Sequence, residues 1–418
     1  MFSFPSRRIV AAALVAAAIA GVSSMARADV AISSFTPGDL VVLRTGDSAN
    51  PDTTSVTTQV GAYLDEYTTA GTYVGTIAVP QTGGNALTLP GIGDFQHQGL
   101  LNLSTNGNLV TFAGYQANVG SADANGRSAG NGYQPVIGVV GINAVSLSTN
   151  TVVNSYGASS PSAAPYIRGA VTNDGSSFWT FGKYPSSGAT SNGGLAYVSG
   201  SGPTATTTTV EGFADWRDVI IANGQLYGGT GSSSVGNHGP YQISSGTATT
   251  NLGNSLANNT QLGNYPGGQS ASALALVDLP GDSNAQNGLN VLYTIGDQST
   301  AGITKYYFNG TAWVNQTNVA LAASDVVNPT GLIAVEDPSN PNWVDITVSG
   351  TNGIYTYVDE TGYNGAIPAN AFTEIATPAS YSAFRGIAIV PVPEPTSLAL
   401  LGLGAVGLIS RRARRSCR

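Results

Sequence analysis

Three arginines occupy the same point in a recurring phrase: RGAV at Arg168, RDVI at Arg217 and RGIA at Arg385. A guanidinium offers a planar fork of donors, so three brought together could hold a carboxylate, a uronate or a phosphate through paired hydrogen bonds. His97, in FQHQGL just ahead of a fourth copy of the phrase, is the better placed of the two histidines to join them, and His238 in GNHGP reads as a turn. The other use of such arginines is internal. Each could pair with a carboxylate of a neighbouring repeat, Asp215 or Asp218 for instance, and tie the fold together, which is the commoner state of a buried arginine.

Catalytic signatures are harder to find. A nucleophilic triad needs a histidine next to a serine, and the chain has no Gly-x-Ser-x-Gly elbow, P-loop or dinucleotide fingerprint. A carboxylate-pair glycosidase would leave no spacing rule to read, because its two acids can lie far apart in sequence. No residue is therefore assigned a catalytic role, and a non-enzymatic protein is the expectation. No cofactor is expected either. Calcium is the one candidate, through the oxygen-rich loops DLPGDSN at 278–284 and EDPSNPN at 336–342, but neither follows a calcium-loop pattern and both read as solvated turns. Tyr306, Tyr307, Phe308 and Trp313 cluster in YYFNGTAW, where strand alternation would send about half inward.

These residues must be positioned by strands. The chain has 54 Gly and only 9% charged residues, and short runs of Val, Ile, Leu, Tyr and Thr alternate with Asn-Gly, Asp-Gly and Gly-Gly turns. The recurring phrase starts at residues 98, 168, 217, 272, 330 and 385, and each start but the last opens a series of two or three strands. Four-stranded blades need about 40 to 50 residues plus loops, so the spacing predicts an all-β propeller of six blades. A seventh would fit only inside the long 98–168 interval. The last phrase has no strands after it, whereas DLVVLRTGD, AYLDEY and TYVGTIAVP near the N-terminus have no opening strand. Pairing the two ends would close the ring and remove its exposed edges. Tandem β-sandwiches share this composition, but do not require one phrase to recur six times.

The ends carry a different kind of information. Arg7 and Arg8, the apolar run Ile9–Gly21 and the small-x-small triplet Ala26-Arg27-Ala28 form a signal peptide over residues 1–28, with cleavage expected between Ala28 and Asp29. The body then spans 29–391. Between residues 29 and 395, seven basic residues face all twenty-three acidic ones, a net charge of −16 that disfavours nucleic acid as a partner. The only cysteine, Cys417, lies near the C-terminus, so no disulfide can form within the body.

Residues 392–418 place Val392-Pro393-Glu394-Pro395 before an apolar run, Thr396–Ser410, and then Arg411, Arg412, Arg414 and Arg415. The run is short for a permanent transmembrane helix, which usually needs about 20 residues. In motif, order and terminal position this segment resembles the PEP-CTERM sorting signal of exported bacterial proteins. The resemblance implies passage through the inner membrane, a transient hold by the tail, and recognition by an exosortase after a signal peptidase has acted at the other end. It also implies a bacterium that makes extracellular polysaccharide, a candidate partner. The expected destination is the cell surface or the medium. The functional expectation is a structural or adhesive role in the envelope or matrix. The alternatives are a binding module for an anionic glycan or small ligand at Arg168, Arg217, Arg385 and His97, and a secreted polysaccharide hydrolase or lyase.

Overall fold

The computed structural model describes residues 29–392 except 54–56, 92–96, 123–131, 157–165, 184–192, 213, 232–237, 254–255, 265–269, 281–283, 297–301, 321–325 and 369–371. The expected signal peptide and Pro393–Pro395 of the sorting motif lie outside the described residues, as does part of the 278–284 loop.

Strand β1 (Leu40–Thr45) is followed by the short β2 (Gln59–Val60), then β3 (Ala62–Tyr67), β4 (Tyr73–Ala78) and β5 (Leu89–Pro90). β1, β3 and β4 form one antiparallel sheet, while β2 and β5 pair as a separate ribbon. Four regular blades follow. They are β6 (Asn102–Leu103) with β7 (Leu109–Gln116), β8 (Gln134–Gly141) and β9 (Leu147–Val152); β10 (Tyr166–Thr172) with β11 (Ser177–Lys183), β12 (Leu195–Ser199) and β13 (Thr206–Glu211); β14 (Trp216–Ala222) with β15 (Gln225–Thr230), β16 (Gly239–Gln242) and β17 (Thr260–Gln261); and β18 (Ala271–Val277) with β19 (Val291–Gly296), β20 (Gly302–Phe308) and β21 (Trp313–Ala320). A further blade joins β22 (Pro329–Asp337), β23 (Asn340–Gly350), β24 (Gly353–Asp359) and β25 (Thr373–Ala376). The final strand, β26 (Ala383–Ile389), pairs with β1, from Leu40 opposite Ile389 to Thr45 opposite Ala383.

The molecule is a six-bladed β-propeller, and the first blade is assembled from both ends of the chain. Among the described residues neither a seventh blade nor a pair of sandwiches is formed. The hydrophobic pattern explains the closure. β26 and β1 are almost wholly buried, so neither could stand as a free edge in water. Their side chains enter two cores, one with Leu64 of the same blade and Val110 and Phe112 of the following blade, the other with Tyr67 of the same blade and Ile354 of the preceding one.

Outside the ring, residues just after the expected signal-peptide cleavage point lie along the outer edge of β4. Thr76 N donates to Val30 O at 2.7 Å and Ile32 N donates to Thr76 O at 3.2 Å. Asp29 also reaches inward, accepting a 3.0 Å bond from Nη2 of buried Arg44, whose Nε donates to Asp65 at 2.7 Å. The 336–342 loop is a tight hairpin in which Asp337 stands opposite Asn340. Tyr306 is buried, whereas Tyr307 packs edge-on to Tyr363 with centroids 5.4 Å apart and Phe308 packs on Trp313.

Candidate functional site

A shared backbone defect sets up the site. In five of the six innermost strands, the first residues carry a β-bulge, and the extra residue is Arg168, Arg217, Ser272 or Thr330, with Arg385-Gly386 in the fifth. A bulge puts two residues opposite one and re-aims the side chain that cannot follow the pleat. In the remaining blade Gln98 takes the matching place, just before β6. Of these six side chains only Arg217 retains appreciable exposure, at 16%.

Residues 98–101 bridge the neighbouring blades. Gly99 N and Leu100 N both donate to Arg168 O at 3.0 Å, and Gly386 N donates to Gly99 O at 3.1 Å. Gly99 has φ of +83°, and a Cβ there would lie 2.5 Å from Leu43 and 2.8 Å from Leu89, so only glycine fits this crossing point.

The arginines are engaged inside the fold. Arg168 Nη1 donates to Asp215 Oδ1 and, at 2.8 Å, to Trp216 O of the next blade, while Nη2 donates to the Tyr166 hydroxyl at 3.0 Å. Arg217 Nε lies 3.3 Å from the other oxygen of the same carboxylate. Burial pushes the Asp215 carboxyl up, but the charges of Arg168 and Arg217 outweigh it and bring the group down to about 2. Arg385 donates to Asp52 Oδ2 at 3.1 Å, Pro90 O at 3.0 Å and Thr45 Oγ1 at 3.2 Å. Sequence reasoning named Asp215 as a partner for these arginines. It missed Asp52, 333 residues from Arg385 in the chain and adjacent only after closure.

His97 joins the same region. Burial depresses its proton affinity first, and Arg217, Arg168 and Arg385 lower it further, in that order, so the imidazole is held neutral. Its Nδ1 is buried with no hydrogen-bond partner among the described residues. The four residues singled out in the sequence are thus brought within electrostatic reach of one another at the end of the ring where the innermost strands begin. His238 is not among the charges acting on His97.

Asp218 pairs with no arginine among the described residues. Its carboxylate accepts a 3.1 Å bond from Leu274 N of the next blade, and burial raises it to about 7. Ser272, Thr330 and Gln98 also went unremarked as site residues, although the column of the repeat that holds the arginines is polar in all six copies. No group of three or more His, Cys, Asp or Glu side chains converges among the described residues.

Against this geometry, similarity to known proteins is confined to one end and to the fold. A family model described as the PEP-CTERM protein-sorting motif matches residues 391–415. The chain carries a PEP-CTERM sorting signal. That signal marks an exported protein sorted at the membrane and processed by an exosortase, and the body is outside the match. No curated protein matches the chain. Among solved structures, a candidate 6-phosphogluconolactonase from Bacteroides fragilis is 12% identical, with 83% of this chain and 97% of that one covered and a TM-score of 0.41. A second candidate 6-phosphogluconolactonase, from Bacteroides uniformis, is 10% identical over 82% and 99% of the two chains, with a TM-score of 0.38. The dihydro-heme d1 dehydrogenase NirN is 10% identical over 81% and 55%, with a TM-score of 0.33.

Proposed function

We propose that this PEP-CTERM propeller serves, once sorted, as a non-enzymatic structural or adhesive element of the cell envelope or its extracellular matrix. The observation that supports this reading most is the use made of the arginines. Arg168 and Arg385, the groups best suited to grip an anionic ligand, are fully buried and spent on Asp215 and Asp52, where they join blades to one another and to the N-terminal segment. A strongly acidic, charge-poor surface on a closed ring suits a durable exported module. The protein purified from its own cells should co-sediment with polysaccharide isolated from the same cells and release no new reducing ends, with or without calcium. Polysaccharide cleavage by the purified protein would replace this reading with that of a hydrolase or lyase.

A second reading is favoured by His97 and Arg217. A half-buried neutral imidazole whose Nδ1 is buried without a partner among the described residues, beside the most exposed of the three arginines, could receive one carboxylate or uronate group. His97→Ala with Arg217→Ala should then abolish binding of uronate oligosaccharides while leaving the melting temperature close to that of the parent. Equal binding by parent and variant excludes it.

A further inference from the structure

A cleft lies on the seam where the ring closes. It has a volume of about 600 Å³ between the first blade and the β22–β25 blade. Leu40, Ile333, Val335, Ile346 and Tyr357 contribute apolar surface to it. Val358 and Val392, among the few large apolar side chains left exposed (40% and 66%), border it as well. Glu336 and Asp345 stand in its lining, and Asp337 follows Glu336 in the chain. The cleft is therefore an apolar trough with an acidic rim, of a size that suits a few large side chains.

The chain itself leaves through this cleft. Gly38 N donates to Val390 O and Val390 N donates to Asp39 O, each at 2.9 Å, and Val392 then lies against Gly38. Beyond it come Pro393-Glu394-Pro395, the apolar run with Leu398, Leu400 and Leu401, and the arginines 411, 412, 414 and 415. An apolar run followed by a cationic cluster is the complement of an apolar trough with an acidic rim. The six steps from Val392 to Leu398 reach about 20 Å when extended, enough to turn back on the cleft. So short a tether also holds the run at a local concentration of order millimolar.

We propose that the seam cleft is the docking site of the chain's own sorting tail, with Leu398–Leu401 in the apolar trough and Arg411–Arg415 facing the acidic rim. Docking shields the apolar run in copies that are in water and competes with its transfer to the membrane. It is also conditional on folding. Gly38 and Leu40 come from the N-terminal end, Ile389–Val392 from the C-terminal end, and the opposite wall from β22–β24, so the cleft exists only after the ring has closed.

Disulfide trapping in the full chain, in detergent-free buffer, tests the idea. With Cys417→Ser removing the native thiol, Leu400→Cys is combined with Val358→Cys or, at a second point of the lining, Thr69→Cys. Either pair should form an intramolecular disulfide under mild oxidation in at least tenfold greater yield than Leu400→Cys with Thr250→Cys, an exposed position in another blade. Replacing the four tail arginines by Gln should lower that yield several-fold at low salt. Yields equal to the Thr250 control overturn the proposal, as does a product that is intermolecular and rises with protein concentration, which would make a second copy the occupant.

Discussion

At the bulged position of the innermost strand, three blades carry arginine and two carry a hydroxyl, Ser272 and Thr330. The backbone device is the same, but the chemistry around it is not. Each arginine is met by a carboxylate: Asp215 serves both Arg168 and Arg217, and Asp52 serves Arg385. A charge removed from water needs a counter-charge and full hydrogen bonding, so these blades had to bring acids inward as well. On the hydroxyl side, Thr330 Oγ1 donates to Arg385 O at 2.8 Å, and Ser349 Oγ donates to the same carbonyl at 2.6 Å. Ionic ties between those blades lie elsewhere, where Lys305 Nζ donates to Asp359 at 2.8 Å and the Tyr293 hydroxyl joins the same carboxylate. A repeat therefore transmits geometry from blade to blade, while each interface finds its own way to satisfy what is buried.

The sharpest way to break this contrast is to remove the shared acid. Asp215→Ala leaves Arg168 buried without its carboxylate and should destabilise the protein by about 3–5 kcal/mol in urea unfolding. Replacing the pair together, Arg168→Met with Asp215→Leu, should recover most of that loss. A single variant as stable as the parent would mean that the arginines are not structural ties.

Next in size is a pH effect from Asp218. Because burial raises it to about 7, the unfolded chain releases this proton near pH 4 while the folded chain keeps it up to about pH 7. Its contribution to stability is therefore fully present below pH 4 and is lost as pH rises through 7. Asp218→Asn should melt above the parent at pH 8, by a margin that shrinks toward pH 4. A margin independent of pH contradicts the assignment. Asp215 works in the opposite sense: its stabilisation is present above about pH 4 and fades as pH falls toward 2.

On the hydroxyl side the effect should be modest. Thr330→Val removes one hydrogen bond to a carbonyl that Ser349 still serves, and a loss of about 1 kcal/mol or less is expected. A loss as large as that of Asp215→Ala would erase the distinction between the two sides. The subtlest test is spectroscopic. With only two histidines in the chain, proton NMR should show the His97 ring still neutral at pH 6.5, where an ordinary imidazole is half protonated. Half-titration of the His97 ring at that pH would place it away from the three arginines.

Much of the architecture was legible in the sequence, because strands that bury one face repeat with their turns and the phrase starts at 98, 168, 217, 272, 330 and 385 fall in or just ahead of the six innermost strands. Closure was legible too, from an opening strand without followers at one end and followers without an opening strand at the other. Less could be read of the site. The arginine column and His97 stood out, and Asp215 lay within one repeat of its partners, but the bulges that re-aim these side chains leave no residue type of their own. Asp52 gave no sign, since the contact with Arg385 depends on the last strand and the first loop meeting in space.

The sequence by itself determined the sorting signal of this protein and the period of its strands, since both are written in local order: a Pro-Glu-Pro motif with its apolar run and arginines, and apolar phrases between glycine turns. Only the tertiary structure decided which carboxylate meets which arginine, that His97 is neutral while Asp218 holds its proton to near pH 7, and that an acidic-rimmed cleft opens beside the sorting tail. Burial and charge pairing are properties of the closed ring, and they come into being when residues of neighbouring blades, or in the case of Asp52 and Arg385 of opposite ends of the chain, are brought together.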